Sequence, residues 1–215
     1  MLFLIAVGIF LIVVASTWWF GLWSNLITLI NLIIAGLIAS SFFENMAGSI
    51  DAKAPTFAYI TDFASVWIIF FVTFGFLRML TDLISSMRLK FDPVTEMIGR
   101  SILSIWIALV FISFSFFTLH MAPLPPGFYG DTPTAKMLGV GPDRFWLAFI
   151  QSRSRGALSD SSESTLFGEY SPVGGVHPND VELKARVFDP HAQFVSRFAL
   201  RRTGLSQQTN LRTPE

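Results

Sequence analysis

Seven ionisable side chains border the longest apolar runs of the sequence, and they are Glu44, Asp62, Arg78, Asp82, Glu96, Arg100 and His120. An ionisable group in the middle of a membrane helix would indicate an ion pathway. All seven lie at the ends of the runs, where capping, helix-dipole and snorkelling roles account for them. Arg78 and Asp82 are four residues apart, as are Glu96 and Arg100, which is the spacing of ion pairs on one helix face. These residues are predicted to be structural.

Other chemistry has little support in the sequence. The chain has no cysteine, which excludes disulfides, thiolate metal sites and a cysteine nucleophile. Its three histidines, His120, His177 and His191, lack the spacing of a metal site, and no phosphate-binding loop, dinucleotide fingerprint or hydrolase motif occurs. The net charge is zero, with no run of bases that would bind nucleic acid. The sequence therefore predicts no catalytic residue, no cofactor, no metal and no nucleic-acid partner.

The composition indicates a membrane protein. Hydrophobic residues make up 52% of the chain, charged residues only 14%, and there are 23 phenylalanines, which is outside the range of soluble domains. The predicted fold class is an all-α membrane protein, with about four transmembrane helices followed by a mostly irregular polar C-terminal tail with short helices. The predicted division is a transmembrane domain at 1–122 and a polar, partly disordered tail at 123–215.

The four helices are predicted from charge-free runs. Residues 2–43 contain no Asp, Glu, Lys or Arg, which is enough for two crossings of about 20 residues each, broken near Gly21. The predicted helices are 2–20, 25–43, 63–83 and 101–120. A polar loop is expected at 44–62. In the charged linker 81–100, Asp92-Pro93 is typical of a helix start and favours a surface helix before the last crossing.

The tail contains one amphipathic segment, at 142–151. Pro142 suits a first helical turn, and the apolar residues that follow lie on one face: Phe145, Trp146, Phe149 and Ile150. This pattern predicts an interfacial helix lying against the membrane surface or the helix bundle. Alternatively, these residues form a small core within the tail, together with an alternating strand at 181–187. A short helix is expected at 189–202, and composition indicates disorder at 151–163 and 207–215.

Small residues on the second helix predict close helix packing. Ala35 and Ala39, and likewise Gly36 and Ser40, are four residues apart and form one small face. Packing within the monomer and packing in a homo-oligomer both remain open.

The bases near the spans predict the orientation of the chain. The linker between helices 3 and 4 is flanked by Arg78 and Arg100 and contains Arg88 and Lys90, whereas the opposite side has Lys53, Lys136 and Arg144. By the positive-inside rule, this count places both termini on the non-cytoplasmic side.

The order of these features resembles the colicin V production protein family, CvpA, which comprises small four-helix proteins of the bacterial inner membrane. The similarity covers residues 1–120, with Gly21 between the first two spans and with Glu96 and Gly99 before the last one. Leu103 and Ile107 stand where the family has further glycines. The resemblance implies a non-catalytic role in toxin production or export, or in envelope maintenance.

Two other classes of function fit the same residues. One is a subunit of a small oligomeric transporter or channel, and the other is an anchor or scaffold for an envelope partner. The positions of Glu44, Arg78 and Arg100 distinguish a transporter from a scaffold. These residues would line an internal cavity in a transporter and would lie near the headgroups in a scaffold.

Overall fold

The computed structural model describes residues 2–53, 58–84, 91–124, 141–155, 194–195 and 197–199. Its elements are five α-helices, α1 Leu2–Trp18, α2 Leu22–Asp51, α3 Ala58–Ile84, α4 Pro93–Leu119 and α5 Pro142–Arg155, and the described part of residues 194–199 is also helical. The predicted all-helical class is confirmed for these residues. By length and apolar composition, α2, α3 and α4 are able to cross a membrane, whereas α1 is shorter. The predicted strand at 181–187 lies outside the described residues.

Three predicted boundaries are wrong. The loop expected at 44–62 is much shorter, because α2 continues to Asp51 and α3 already begins at Ala58. The polar residues after Glu44 include no proline until Pro55, and the exposed Ser49 hydroxyl donates to the Asn45 carbonyl within the same helix (2.8 Å). Turn-favouring residues on an exposed helix face cost too little to end it, at most about 1 kcal/mol each.

The second wrong boundary concerns the surface helix expected before the last crossing. Residues 93–100 are instead the first two turns of α4. The predicted start is confirmed, since the Asp92 carboxylate accepts a hydrogen bond from the Val94 N–H (3.3 Å) and Pro93 occupies the first turn. The third concerns 151–155, predicted to be disordered, which continue α5 to Arg155.

The predicted break at Gly21 is confirmed, because α1 ends at Trp18 and α2 begins at Leu22. In the bundle, α2 packs against α3 and α4, while α1 and α5 both pack against α4. Ala6 of α1 lies in a small core with Ile112 and Phe116 near the end of α4. We call the end of the bundle with the α1–α2 turn and the start of α4 the turn end. The opposite end, where α4 finishes and α5 begins, is the α5 end.

Aromatic rings fill the interior towards the α5 end. Phe70 of α3 stacks on Phe114 of α4 with ring centroids 4.7 Å apart, and Trp146 of α5 contacts Phe114 edge-on at 5.3 Å. Phe117 stacks on Phe194 at 4.9 Å, which brings a residue from late in the chain into the same core. Rings packed in offset or edge-on geometry contribute more than their buried area alone. This core holds α2, α3, α4 and α5 together.

Candidate functional sites at the two ends of the bundle

The predicted small face of α2 receives a tryptophan from α5. Ala35, Gly36, Ala39 and Ser40 are all buried. The Trp146 indole N–H donates to the Ser40 hydroxyl (3.0 Å). A Cβ atom at Gly36 would lie only 2.6 Å from two atoms of the indole ring, so the ring fits only because this residue is glycine. The face is therefore used for packing within the chain.

A second contact fixes the beginning of α5. His120, just after α4, and Asp143, in the first turn of α5, lie 2.8 Å apart between Nε2 and Oδ2, and both side chains are fully buried. A carboxylate in a first turn also interacts favourably with the positive end of the helix dipole. Losing either partner would leave a buried polar group without its bond, which is costly. The α5 helix is thus docked by a polar contact at its start and by Trp146 one turn later.

Glu44 pairs with Arg197 at the same end of the bundle. Both side chains are more than half exposed, at 57% and 58%. An exposed ion pair of this kind contributes about 0–1 kcal/mol to stability. Glu44 therefore lies on the outside of the bundle and lines no interior cavity.

At the turn end, Glu96 and Gly99 of α4 hold the beginning of α2. The Leu22 N–H donates to the Glu96 carboxylate (2.7 Å), which satisfies one of the free amides at the helix start. A Cβ atom at Gly99 would lie 2.1 Å from the Leu22 side chain, and one at Gly21 would lie 2.9 Å from the Glu96 carboxylate. The glycines permit this close approach between α2 and α4.

The expected ion pair between Glu96 and Arg100 does not occur among the described residues, because each side chain has another partner. The Arg100 guanidinium lies over the Trp18 ring, 5.0 Å from its centroid, in the geometry of a cation–π contact. Next to it, the fully buried Asn25 amide donates to the Ser104 hydroxyl (3.2 Å). Nothing in the sequence alone indicates that the partner of Asn25 lies on α4.

Arg78 joins α3 to α2. Its predicted pair with Asp82 is confirmed at 3.1 Å, and its two terminal nitrogens donate to Thr28 (2.9 Å) and Ser24 (3.0 Å) on α2. The Asn31 amide of α2 also donates to the Thr81 hydroxyl of α3 (3.1 Å). Hydrogen bonds between helices contribute about 0.6 kcal/mol each within a membrane. The sequence analysis predicted the ion pair of Arg78 with Asp82 but not the hydrogen bonds of Arg78 to α2.

The arrangement at both ends is suited to holding helices together. In the part of the chain that the structure describes, no three metal-ligating side chains lie together. No protein-family model matches the chain, and neither a curated protein nor a solved structure matches it. The resemblance to the CvpA family therefore stays a prediction from the order of sequence features.

Proposed function

We propose that the protein is a non-catalytic, multi-pass membrane protein that serves as an anchor or scaffold for an envelope partner. The observation that supports this most directly is the use of the span-end charges. Arg78 and Glu96 bond to α2, and Arg100 lies over Trp18. Side chains bound in fixed helix contacts are poor candidates for carrying an ion or a substrate. Glu44, on the outside of the bundle, is equally poorly placed to line an internal path.

The process proposed for this scaffold is the one implied by the CvpA resemblance, namely envelope maintenance, or toxin production and export, in a bacterial inner membrane. The lipid bilayer is one partner, and a second copy or another envelope protein is the other. A transporter or channel subunit has less support, since stacked rings such as Phe70 and Phe114 occupy the interior between the helices.

The fourth crossing proposed here is α1. Its 17 residues extend about 26 Å at 1.5 Å per residue, slightly less than a hydrocarbon core of about 30 Å. Local thinning of the bilayer accommodates such a helix at modest cost. Its contacts support the proposal, because Ala6 packs near the end of α4 while Trp18 meets Arg100 near its start. The helix therefore runs antiparallel to α4 along most of its length.

Thiol labelling tests the fourth crossing, because the chain has no native cysteine. Phe3, near the beginning of α1, and Phe20, two residues after its end, are both exposed. With Phe3→Cys and Phe20→Cys variants in sealed vesicles, an impermeant reagent should label only one of the two positions from outside. Labelling of both from the same side would mean that α1 does not cross.

Reconstitution tests the scaffold against transport. The full chain in sealed vesicles should leave passive potassium and proton flux at the level of protein-free vesicles. The matched variant Arg78→Gln removes the charge from the α2–α3 contact and should not alter that flux. A flux above background in the wild type that falls in the variant would refute the scaffold and support the transporter.

A further inference from the structure

A short helical segment from late in the chain lies on the α5 end of the bundle. We call its described residues, 194, 195 and 197–199, the docking segment. Phe194 and Phe198 are four residues apart on one helix face, and they are only 3% and 5% exposed. Phe194 stacks on Phe117, near the end of α4, and the two rings of the segment lie 4.8 Å apart. The segment is therefore held by two aromatic side chains.

The docking segment also matches its binding place in charge. Arg197, one residue before the second ring, pairs with Glu44 of α2. Phe43, the neighbour of Glu44, and Phe117 belong to the same buried cluster as the two rings of the segment. We call Phe43, Glu44 and Phe117 the docking surface. It is an apolar surface with a carboxylate at its edge, formed by the ends of α2 and α4.

The docking surface binds a piece of chain that does not adjoin it in sequence. Residues 156–193, which are 38 in number, separate α5 from the docking segment. A covalent connection of this kind acts by raising the effective concentration of the segment at its site. The stacking on Phe117 and the pair with Glu44 are the same contacts whichever copy supplies the segment. The surface is thus a site for a helix with two aromatic residues four apart and a base before the second, which is a helix-in-groove mode of recognition.

The intervening chain is long enough to reach a neighbouring copy. Thirty-eight residues span at most about 130 Å. A helix with its side chains is only about 10–12 Å across, so two bundles side by side lie well within that reach. Exchange of an identical element between copies keeps its contacts and is a low-cost route to a dimer. The length of the chain therefore permits docking on either copy.

The docking segment can leave its surface while the rest of the bundle stays packed. Its ion pair joins two side chains that are 58% and 57% exposed, and such a pair contributes little. The stacked pair of Phe70 and Phe114, which joins α3 to α4, does not involve the segment. Release is thus a local opening. It frees the two rings of the segment and the docking surface at the same time, and both are then open to a second copy.

We propose that copies of this chain pair by exchanging the docking segment. Phe194 and Phe198 of each copy dock beside Phe117 of the other, and Arg197 pairs with Glu44 across the two chains. The inference rests on the proposed function, because it names a second copy as the partner of the scaffold. The two proposals fail separately, since a scaffold without exchange would use another envelope protein, whereas ion flux would refute the scaffold and leave the exchange untouched.

Cross-linking between separately labelled copies tests the exchange on the full chain, which has no native cysteine. One population carries Glu44→Cys, a second carries Arg197→Cys, and both are reconstituted into the same vesicles. A short bismaleimide should join them into a heterodimer, and dilution of the protein with lipid should lower the yield by mass action. A double variant with both cysteines in one chain shows docking within a copy. If the double variant is linked only internally at every density and the mixture gives no heterodimer, the proposal is overturned.

Matched variants separate docking from random collision. Ile84→Cys, 76% exposed at the turn end, should give no product with Arg197→Cys above background. Phe198→Ala in the second population should lower the docking equilibrium constant about tenfold or more, because it removes a buried ring. Phe145→Ala removes an exposed ring of α5 and should leave the yield unchanged. Equal yields from the two alanine variants would refute docking through the aromatic side chains.

A synthetic peptide with the sequence of residues 190–202 tests the docking surface directly. Excess peptide should lower the heterodimer yield, because it occupies the surface in both populations. The same peptide with Phe194→Ala and Phe198→Ala should have no effect. An unchanged yield with the native peptide would show that the copies join elsewhere and would refute the exchange.

Discussion

Replacing Gly36 with alanine should undock α5, although alanine is the better helix former. A Cβ atom at this position would lie 2.6 Å from two atoms of the Trp146 ring. Ordinary contact between carbon atoms requires about 3.5–4.0 Å, so the ring must retreat by about 1 Å. That movement also lengthens the 3.0 Å hydrogen bond from the indole to Ser40 beyond a useful distance.

The expected magnitude follows from three opposing effects. Overpacking a core costs about 1–3 kcal/mol, and a lost hydrogen bond between membrane helices adds about 0.6 kcal/mol. Alanine in place of glycine returns about 0.5–1 kcal/mol in a helix interior. The net destabilisation of α5 docking is then about 0.6–3 kcal/mol, which corresponds to a roughly 3- to 150-fold larger undocked fraction.

Alkylation of an introduced thiol measures that fraction. Ile150 is only 3% exposed, so in an Ile150→Cys background the thiol reacts mainly when α5 undocks. Gly36→Ala should raise the reaction rate by the factor above. Gly48→Ala is the matched control, because it lies on the same helix with no atom near its Cβ position, and it should leave the rate unchanged. Equal rates in the two variants would show that Trp146 does not occupy the space above Gly36.

Three further substitutions have expected outcomes in thermal unfolding of the purified protein. Glu96→Ala removes the side chain that caps α2 and should lower the free energy of unfolding by about 1 kcal/mol. Glu96→Gln still accepts a hydrogen bond and should lower it less, so an identical melting temperature for the two variants would contradict the cap. Arg78→Lys should lower the melting temperature more than Asp82→Asn. The lysine ammonium group cannot reproduce the hydrogen bonds of the guanidinium to α2. Asp82→Asn removes only an ion pair with an exposed carboxylate, which contributes at most about 1 kcal/mol. Asp143→Ala should lower the free energy of unfolding by about 1–3 kcal/mol, because it leaves the buried His120 without its bond to Asp143. Asp143→Asn should lower it less. An unchanged stability of the alanine variant would refute a buried contact.

The sequence predicted the helices better than their partners. The charge-free runs located α2, α3 and α4, the three helices able to cross a membrane, and the Asp92-Pro93 signal located the beginning of α4, because apolar composition and caps are local properties. The predicted end of the second helix at residue 43 and the predicted start of the fourth at residue 101 were wrong, since exposed polar residues reduce helix propensity without ending a helix.

The contacts between helices could not be predicted, because they depend on residues far apart in the chain. The small face around Gly36 was recognised, but its occupant, Trp146, is brought there only by the packing of α5. Likewise, Glu96 was expected to pair with Arg100, four residues away, and instead bonds the backbone of Leu22. A residue with a good local partner can still have a better partner elsewhere, and single-sequence patterns do not distinguish the two cases.

The contact between Ser40 and Trp146 has a consequence for the order of biosynthesis. The two residues are 106 positions apart. At about 5–20 residues per second of translation, α2 enters the membrane roughly 5–20 s before Trp146 of α5 is synthesised. During that interval its small face is open to adhesion by any neighbouring helix. A nascent chain released before residue 146 would keep this face open permanently, so truncated products should associate with other membrane proteins and be degraded faster than the full-length chain.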